Sequence, residues 1–130
     1  MQPIISDKLS IKEKQCINEF VNKYLDKNFR IDWNVIKLSR SDSYEHNKMV
    51  SDICLWLFHN NIPFTTQCRF NTQYRPDIMC PIRHIKRIIE VRHTETDKRS
   101  FEKFTRIPEE LQNEIIYVDA KQIFKQELIL

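Results

Sequence analysis

Not one glycine occurs in the 130 residues, and that absence removes a whole class of folds. The Walker and Rossmann phosphate turns need glycine so that the backbone can approach a phosphate closely, so a nucleotide cofactor held in either way is excluded. A chain of this length supports one hydrophobic core rather than two. Its composition, 41% hydrophobic and 30% charged, is that of a soluble globular protein and not of a disordered chain. The longest apolar run, residues 53–58, is far too short to span a bilayer, so no membrane partner is expected. The first ten residues lack the basic patch and apolar stretch of a signal peptide, which predicts a cytoplasmic location, in the host cytoplasm if the source is viral.

Patterning predicts an α/β fold. Ser10 and Glu13 have capping-box spacing, and Cys16, Ile17, Phe20, Val21, Tyr24 and Leu25 recur with helical period, predicting a helix over 10–27. Residues 29–39 alternate in part, as an extra strand or an extended crossover would. A second helix is expected from the Ser/Asp cluster at 41–43 to Asn60-Asn61, with His46, Val50, Ile53 and Leu57 on one stripe, widened by Cys54 and Phe58. Glu45, Lys48 and Asp52 lie on an adjacent face, and as an exposed set they read as a local salt-bridge cluster. Strands are expected at 64–70, 75–81 and 86–94. A helix follows over 100–112, interrupted or restarted by Pro108, then a strand at 114–120 and a last helix at 120–130. This order implies a mixed sheet with helices on its faces. Residues 1–42 form an N-terminal helical extension to a core of 43–130, together one compact domain.

The third strand carries a puzzle. Glu90 stands among Ile88, Ile89 and Val91, where an isolated carboxylate is costly unless a cation compensates it. Strand alternation puts Lys86, Ile88, Glu90 and Arg92 on one face, and Arg75, Asp77 and Met79 on one face of the preceding strand. In a hairpin, Asp77 and Glu90 approach one another. Two such carboxylates repel unless one is protonated or a divalent cation lies between them. Mg²⁺ prefers carboxylate, carbonyl and water oxygens, so this pair and the backbone carbonyl of Val91 would suit it. The formal charge of +3 is concentrated here: residues 69–106 hold ten Lys/Arg against five Asp/Glu. That patch suggests an anionic partner, against the alternative of a solvated basic surface.

Pro76-Asp77 followed by Glu90-Val91-Arg92, within a helix, three strands, helix and strand, resembles the PD-(D/E)xK nuclease superfamily over about residues 43–120. The resemblance implies a restriction-endonuclease-like core (α-β-β-β-α-β) and Mg²⁺- or Mn²⁺-dependent hydrolysis of DNA phosphodiester bonds. It implies that Asp77 and Glu90 are metal ligands, with the Val91 carbonyl and the helix residue Glu45 completing the site. Arg92 replaces the usual lysine. Arginine stabilises an anionic transition state but cannot act as a base. Arg92 is therefore expected as an electrostatic group, with Lys48, and behind it Lys86, as candidates for a migrated lysine. Arg75, Arg83, Lys86, Arg87, Lys98, Arg99 and Lys103 would hold the DNA backbone without reading its sequence. A short, basic chain of this kind looks most like Holliday-junction resolvases and related viral or archaeal recombination nucleases, which act as homodimers. The rival expectation is an inactive nuclease fold that binds nucleic acid or a protein.

Cys16, Cys54, Cys68 and Cys80 are too widely spaced for the tight ligand pairs of most structural zinc sites. A set of Cys68, Cys80, His84 and His93 can be drawn, but buried free thiols are the expectation. His84 and His93 read as ordinary polar positions.

Overall fold

A computed structural model describes residues 9–82, 86–92 and 102–130. Helix α1 (Ile11–Tyr24) opens with the capping box: the Glu13 N–H donates to Ser10 Oγ (3.0 Å) and the Ser10 N–H to Glu13 Oε1 (3.1 Å). It ends three residues before the expected 27, where Leu25 turns extended and forms an isolated bridge to Phe70. Ile17, Phe20 and Val21 are buried, whereas Cys16 is exposed despite sharing their spacing.

Residues 26–43 are a crossover and not a strand. Asn34 takes a left-handed conformation (φ 59) that breaks the alternation. The crossover instead lies along the first strand. The Asn34 N–H donates to the Phe64 carbonyl (2.8 Å), the Lys37 N–H to Thr66 Oγ1 (2.9 Å), and that hydroxyl to the Val35 carbonyl (3.0 Å). A sheet edge is thereby covered.

Helix α2 (Tyr44–His59) is capped by Ser43, whose Oγ accepts from the His46 N–H (3.1 Å). Its apolar stripe, Met49, Val50, Ile53, Cys54 and Leu57, is buried. The helix stops at Asn60 and a left-handed Asn61 (φ 58), followed by Pro63.

The sheet runs β1 (Thr65–Thr66), β2 (Ile78–Met79), β3 (Ile88–Arg92), β4 (Ile115–Asp119) in that order. β1, β2 and β3 pair antiparallel and β4 is parallel to β3. This is a mixed α/β architecture. β1 is far shorter than its expected run because the chain turns sharply at left-handed Gln67 (φ 56), and β2 is shorter than its own because Pro76 cannot donate to the ladder. Ile88 and Met79 join a core layer with α1, Phe70, Tyr74, Ile107 and Leu111. Ile78, Ile89 and Val91 join α2, Val118, Ala120 and Ile129 on the opposite face. α1 is thus built into the core rather than appended to it. β3, covered on both faces, holds Glu90 at 5% exposure.

After β3, residues 102–105 are helical and Pro108 starts a 3-10 turn at Glu109–Leu111, so the proline splits the helix as expected. The expected C-terminal helix does not form. The Lys121 N–H turns back onto Asp119 Oδ1 (2.9 Å), Lys125 is extended, and only a 3-10 turn (Gln126–Leu128) remains, with Ile129 buried against the α2 layer. Among the described residues no helix is long and apolar enough to cross a membrane.

Candidate active site

The β2–β3 register pairs Ile78 with Ile89 and Met79 with Ile88; one rung further, Asp77 stands opposite Glu90 and Pro76 opposite Val91. Proline has no N–H, so the ladder cannot continue and the two acidic side chains take over its work. The Asp77 N–H donates to Glu90 Oε1 (2.9 Å), and the Val91 N–H donates to Asp77 Oδ2 (2.8 Å). Each carboxylate is thus fixed by backbone from the facing strand. The same proline leaves the Val91 carbonyl, in the continued register, without a β2 N–H to accept from.

The other two oxygens face bases from different elements. Asp77 Oδ1 lies 3.4 Å from His46 Nε2 on α2, and Glu90 Oε2 lies 3.7 Å from Lys103 Nζ in the helical residues after β3. His46 also faces Asp42 (Nδ1 to Oδ2, 3.6 Å). The hydrogen bond and charge of Asp77 raise its pKa against the opposing effect of burial. Burial, followed by repulsion from Asp77, pushes the Glu90 carboxyl up to about 7; Lys103 and the Asp77 N–H offset only part of this. Burial and the repulsion between the two carboxylates thus outweigh the attraction of the ammonium beside Glu90. Tyr74, held edge-on to Phe70 (ring centroids 5.6 Å apart), sets its buried hydroxyl beside Glu90 but out of hydrogen-bonding geometry. Burial, then Glu90, drives that hydroxyl's pKa far up, so it stays a donor.

Arg92 shares Glu90's face. Its guanidinium carbon sits 3.6 Å over the ring of Tyr117, the β4 residue paired with Glu90. Its Nε is buried with no hydrogen-bond partner. A stacked guanidinium keeps its N–H edge in plane for an anion.

Lys48 does not join this group, and Glu45 is exposed in the first turn of α2. Lys48 pairs with Asp52 (2.8 Å), as the salt-bridge reading expected. Both line a cavity of about 200 Å³ with Ala120, Lys121 and Ile123. The α2 residue that reaches Asp77 is His46, one position along and about 100° around the helix from Glu45. Its sequence signal was a polar residue on the buried stripe. Lys103, expected on the nucleic-acid surface, lies at Glu90.

Arg87 is not a phosphate ligand either. It is 7% exposed, forks onto Glu114 through Nε (2.9 Å) and Nη2, and covers the Phe20 ring (5.0 Å). Lys86 is exposed and donates to the Asn113 carbonyl (2.8 Å). Arg75 is exposed. Arg83, Lys98 and Arg99 lie outside the described residues, as do His84 and His93. Cys68 belongs to the α1 layer and Cys80 to the α2 layer, so they cannot share a zinc ion. Both are buried free thiols; burial raises Cys54 and Cys68 to about 12 and Cys80 likewise upward.

Among the described residues no group of three or more His, Cys, Asp or Glu side chains is arranged to hold a metal ion. Two carboxylates and one carbonyl are nevertheless a donor set of the kind Mg²⁺ accepts, because that ion retains several waters and commonly takes one or two carboxylates with substrate phosphate oxygens. The mutual repulsion of the buried Glu90 and Asp77 is what such an ion would relieve. In comparisons with protein-family models, curated proteins and solved structures, the chain matches none.

Proposed function

We propose that the chain is a divalent-metal-dependent nuclease hydrolysing DNA phosphodiester bonds at Asp77 and Glu90, as the resemblance to PD-(D/E)xK enzymes implies. The observation that carries this reading is the reciprocal lock in which each carboxylate accepts an N–H from the facing strand. It holds two acidic groups together in a largely buried place where they repel. Such an arrangement is unfavourable to stability and understandable as a cation site. The order α2, three strands, a helical segment and a parallel fourth strand supports the restriction-endonuclease-like core.

In this reading Asp77, Glu90 and the Val91 carbonyl hold Mg²⁺ or Mn²⁺, which when bound offsets charge on the scissile phosphate and lowers the pKa of water. Arg92, stacked on Tyr117, presents N–H groups to the anionic phosphate. Lys103 stands in for the motif's lysine: its Nζ faces Glu90 Oε2 and can orient a water there. His46 positions the Asp77 carboxylate.

Incubation with plasmid, single-stranded and branched DNA, with Mg²⁺, Mn²⁺ or chelator, tests the reading. Metal-dependent cleavage that Asp77→Asn and Glu90→Gln abolish is expected. The facing of Lys103 and His46 onto the outer carboxylate oxygens favours a second reading, an inactive nuclease fold that binds nucleic acid. DNA binding without cleavage under every condition would establish it and defeat the first.

A further inference from the structure

A second cluster of positive charge includes Arg75, two residues before Asp77 in the chain. Phe29 sits at the end of a turn anchored to the segment after β1. The Asp26 N–H donates to the Arg69 carbonyl (2.9 Å), the Asn28 N–H to Asp26 Oδ1 (2.9 Å), and the Phe29 N–H to the Asp26 carbonyl (3.2 Å). The ring so placed is 42% exposed and carries two guanidiniums, Arg69 at 4.5 Å and Arg75 at 5.9 Å from its centroid. Like charges gathered on one ring repel, and their compensation is thin. Asp26 lies 3.9 Å from Arg69 Nε, which is buried without a hydrogen-bond partner, and among the described residues Arg75 has no ion pair.

We infer that Phe29 stacks Arg69 and Arg75 into a clamp for one phosphodiester of the nucleic-acid strand, adjacent to the phosphate cut at Asp77 and Glu90. The aromatic face fixes each guanidinium plane and leaves its N–H edge free, the arrangement that suits bidentate recognition of phosphate oxygens. The Arg75 backbone is two residues from Asp77, at most about 7 Å along an extended chain, so in this proposal the clamped phosphate belongs to the same short stretch of strand as the reacting one. The strand would thereby be held in register over the site. This inference rests on the nuclease reading for its substrate, and Phe29 acts in it as a positioning residue.

The test measures anisotropy of labelled single-stranded and duplex DNA with the full chain in chelator, across a salt series. Phe29→Leu and the double variant Arg69→Gln/Arg75→Gln should each weaken binding about tenfold. Phe29→Trp should retain wild-type affinity, which loss of packing alone would not predict. The double variant should lower the slope of log affinity against log salt by about 0.7 to 0.9, the value for one phosphate contact. Unchanged affinity and slope would overturn the clamp, as would a wild-type chain that binds neither DNA form. The two readings fail separately: cleavage with unaltered binding in Phe29→Leu removes the clamp alone. Weakened binding by a chain that never cleaves removes the nuclease alone.

Discussion

Glu90→Gln should abolish cleavage and at the same time stabilise the metal-free protein. Glu90 is 5% exposed, and burial with Asp77 raises its carboxyl from 4.5 to about 7. Near pH 8 the ionised group therefore costs the fold on the order of 3 kcal/mol relative to the unfolded chain. Glutamine keeps the volume, and its carbonyl can accept the Asp77 N–H that Oε1 now takes. The attraction of Lys103, a partly exposed ammonium at 3.7 Å, is already contained in that raised value. The net gain is therefore about 3 kcal/mol, or roughly 9–15 °C in Tm for a chain of this size. The pH dependence has a definite sign. A carboxyl whose folded pKa is raised favours the folded state below the unfolded pKa, and that advantage is lost as pH rises from 4.5 to about 7. The variant's advantage should therefore be full near pH 8 and fall to about 1 kcal/mol near pH 5. Urea unfolding in chelator at both pH values measures it, and added Mg²⁺ or Mn²⁺ should raise the wild-type midpoint alone. A variant less stable than wild type near pH 8, or an offset equal at both pH values, would refute the reasoning.

Lys103→Met should lower kcat about 100-fold, and Arg92→Gln by a similar factor, whereas Lys48→Met should leave it unchanged; single-turnover cleavage distinguishes them. Arg87→Met strands Glu114 and should cost about 2–3 kcal/mol in urea unfolding, with Arg87→Met/Glu114→Leu recovering most of that loss and DNA affinity unaltered. Gln73→Gly, at φ 73, should stabilise by about 0.5 kcal/mol, since relief of the left-handed strain slightly exceeds glycine's added chain entropy; a lower midpoint would contradict that balance.

The acidic pair was legible because strand alternation and register act over short distances. Once Asp77 and Glu90 flank one hairpin, their meeting follows from period two. The pattern did not single out His46, the α2 residue that meets Asp77, because a step of one from Glu45 rotates a side chain by about 100° around the helix. Lys103 carried no local signal, since the docking of residues 102–105 over Glu90 depends on tertiary packing. Apolar composition also overstated β1, β2 and the C-terminal helix. Nothing in the hydrophobic pattern reveals that Gln67 and Gln73 turn left-handed or that Lys125 is extended. In a chain without glycine, carboxamide residues occupy every described left-handed position: Asn34, Asn61, Gln67 and Gln73.

Pro76 sets the boundary between scaffold and chemistry. Were any other residue there, the two strands could zip one rung further, giving the Val91 carbonyl and N–H conventional partners and releasing Asp77 from its bond to that N–H. A single missing hydrogen thus ends the ladder at the rung where the two carboxylates, and not the backbone alone, bind one strand to the other.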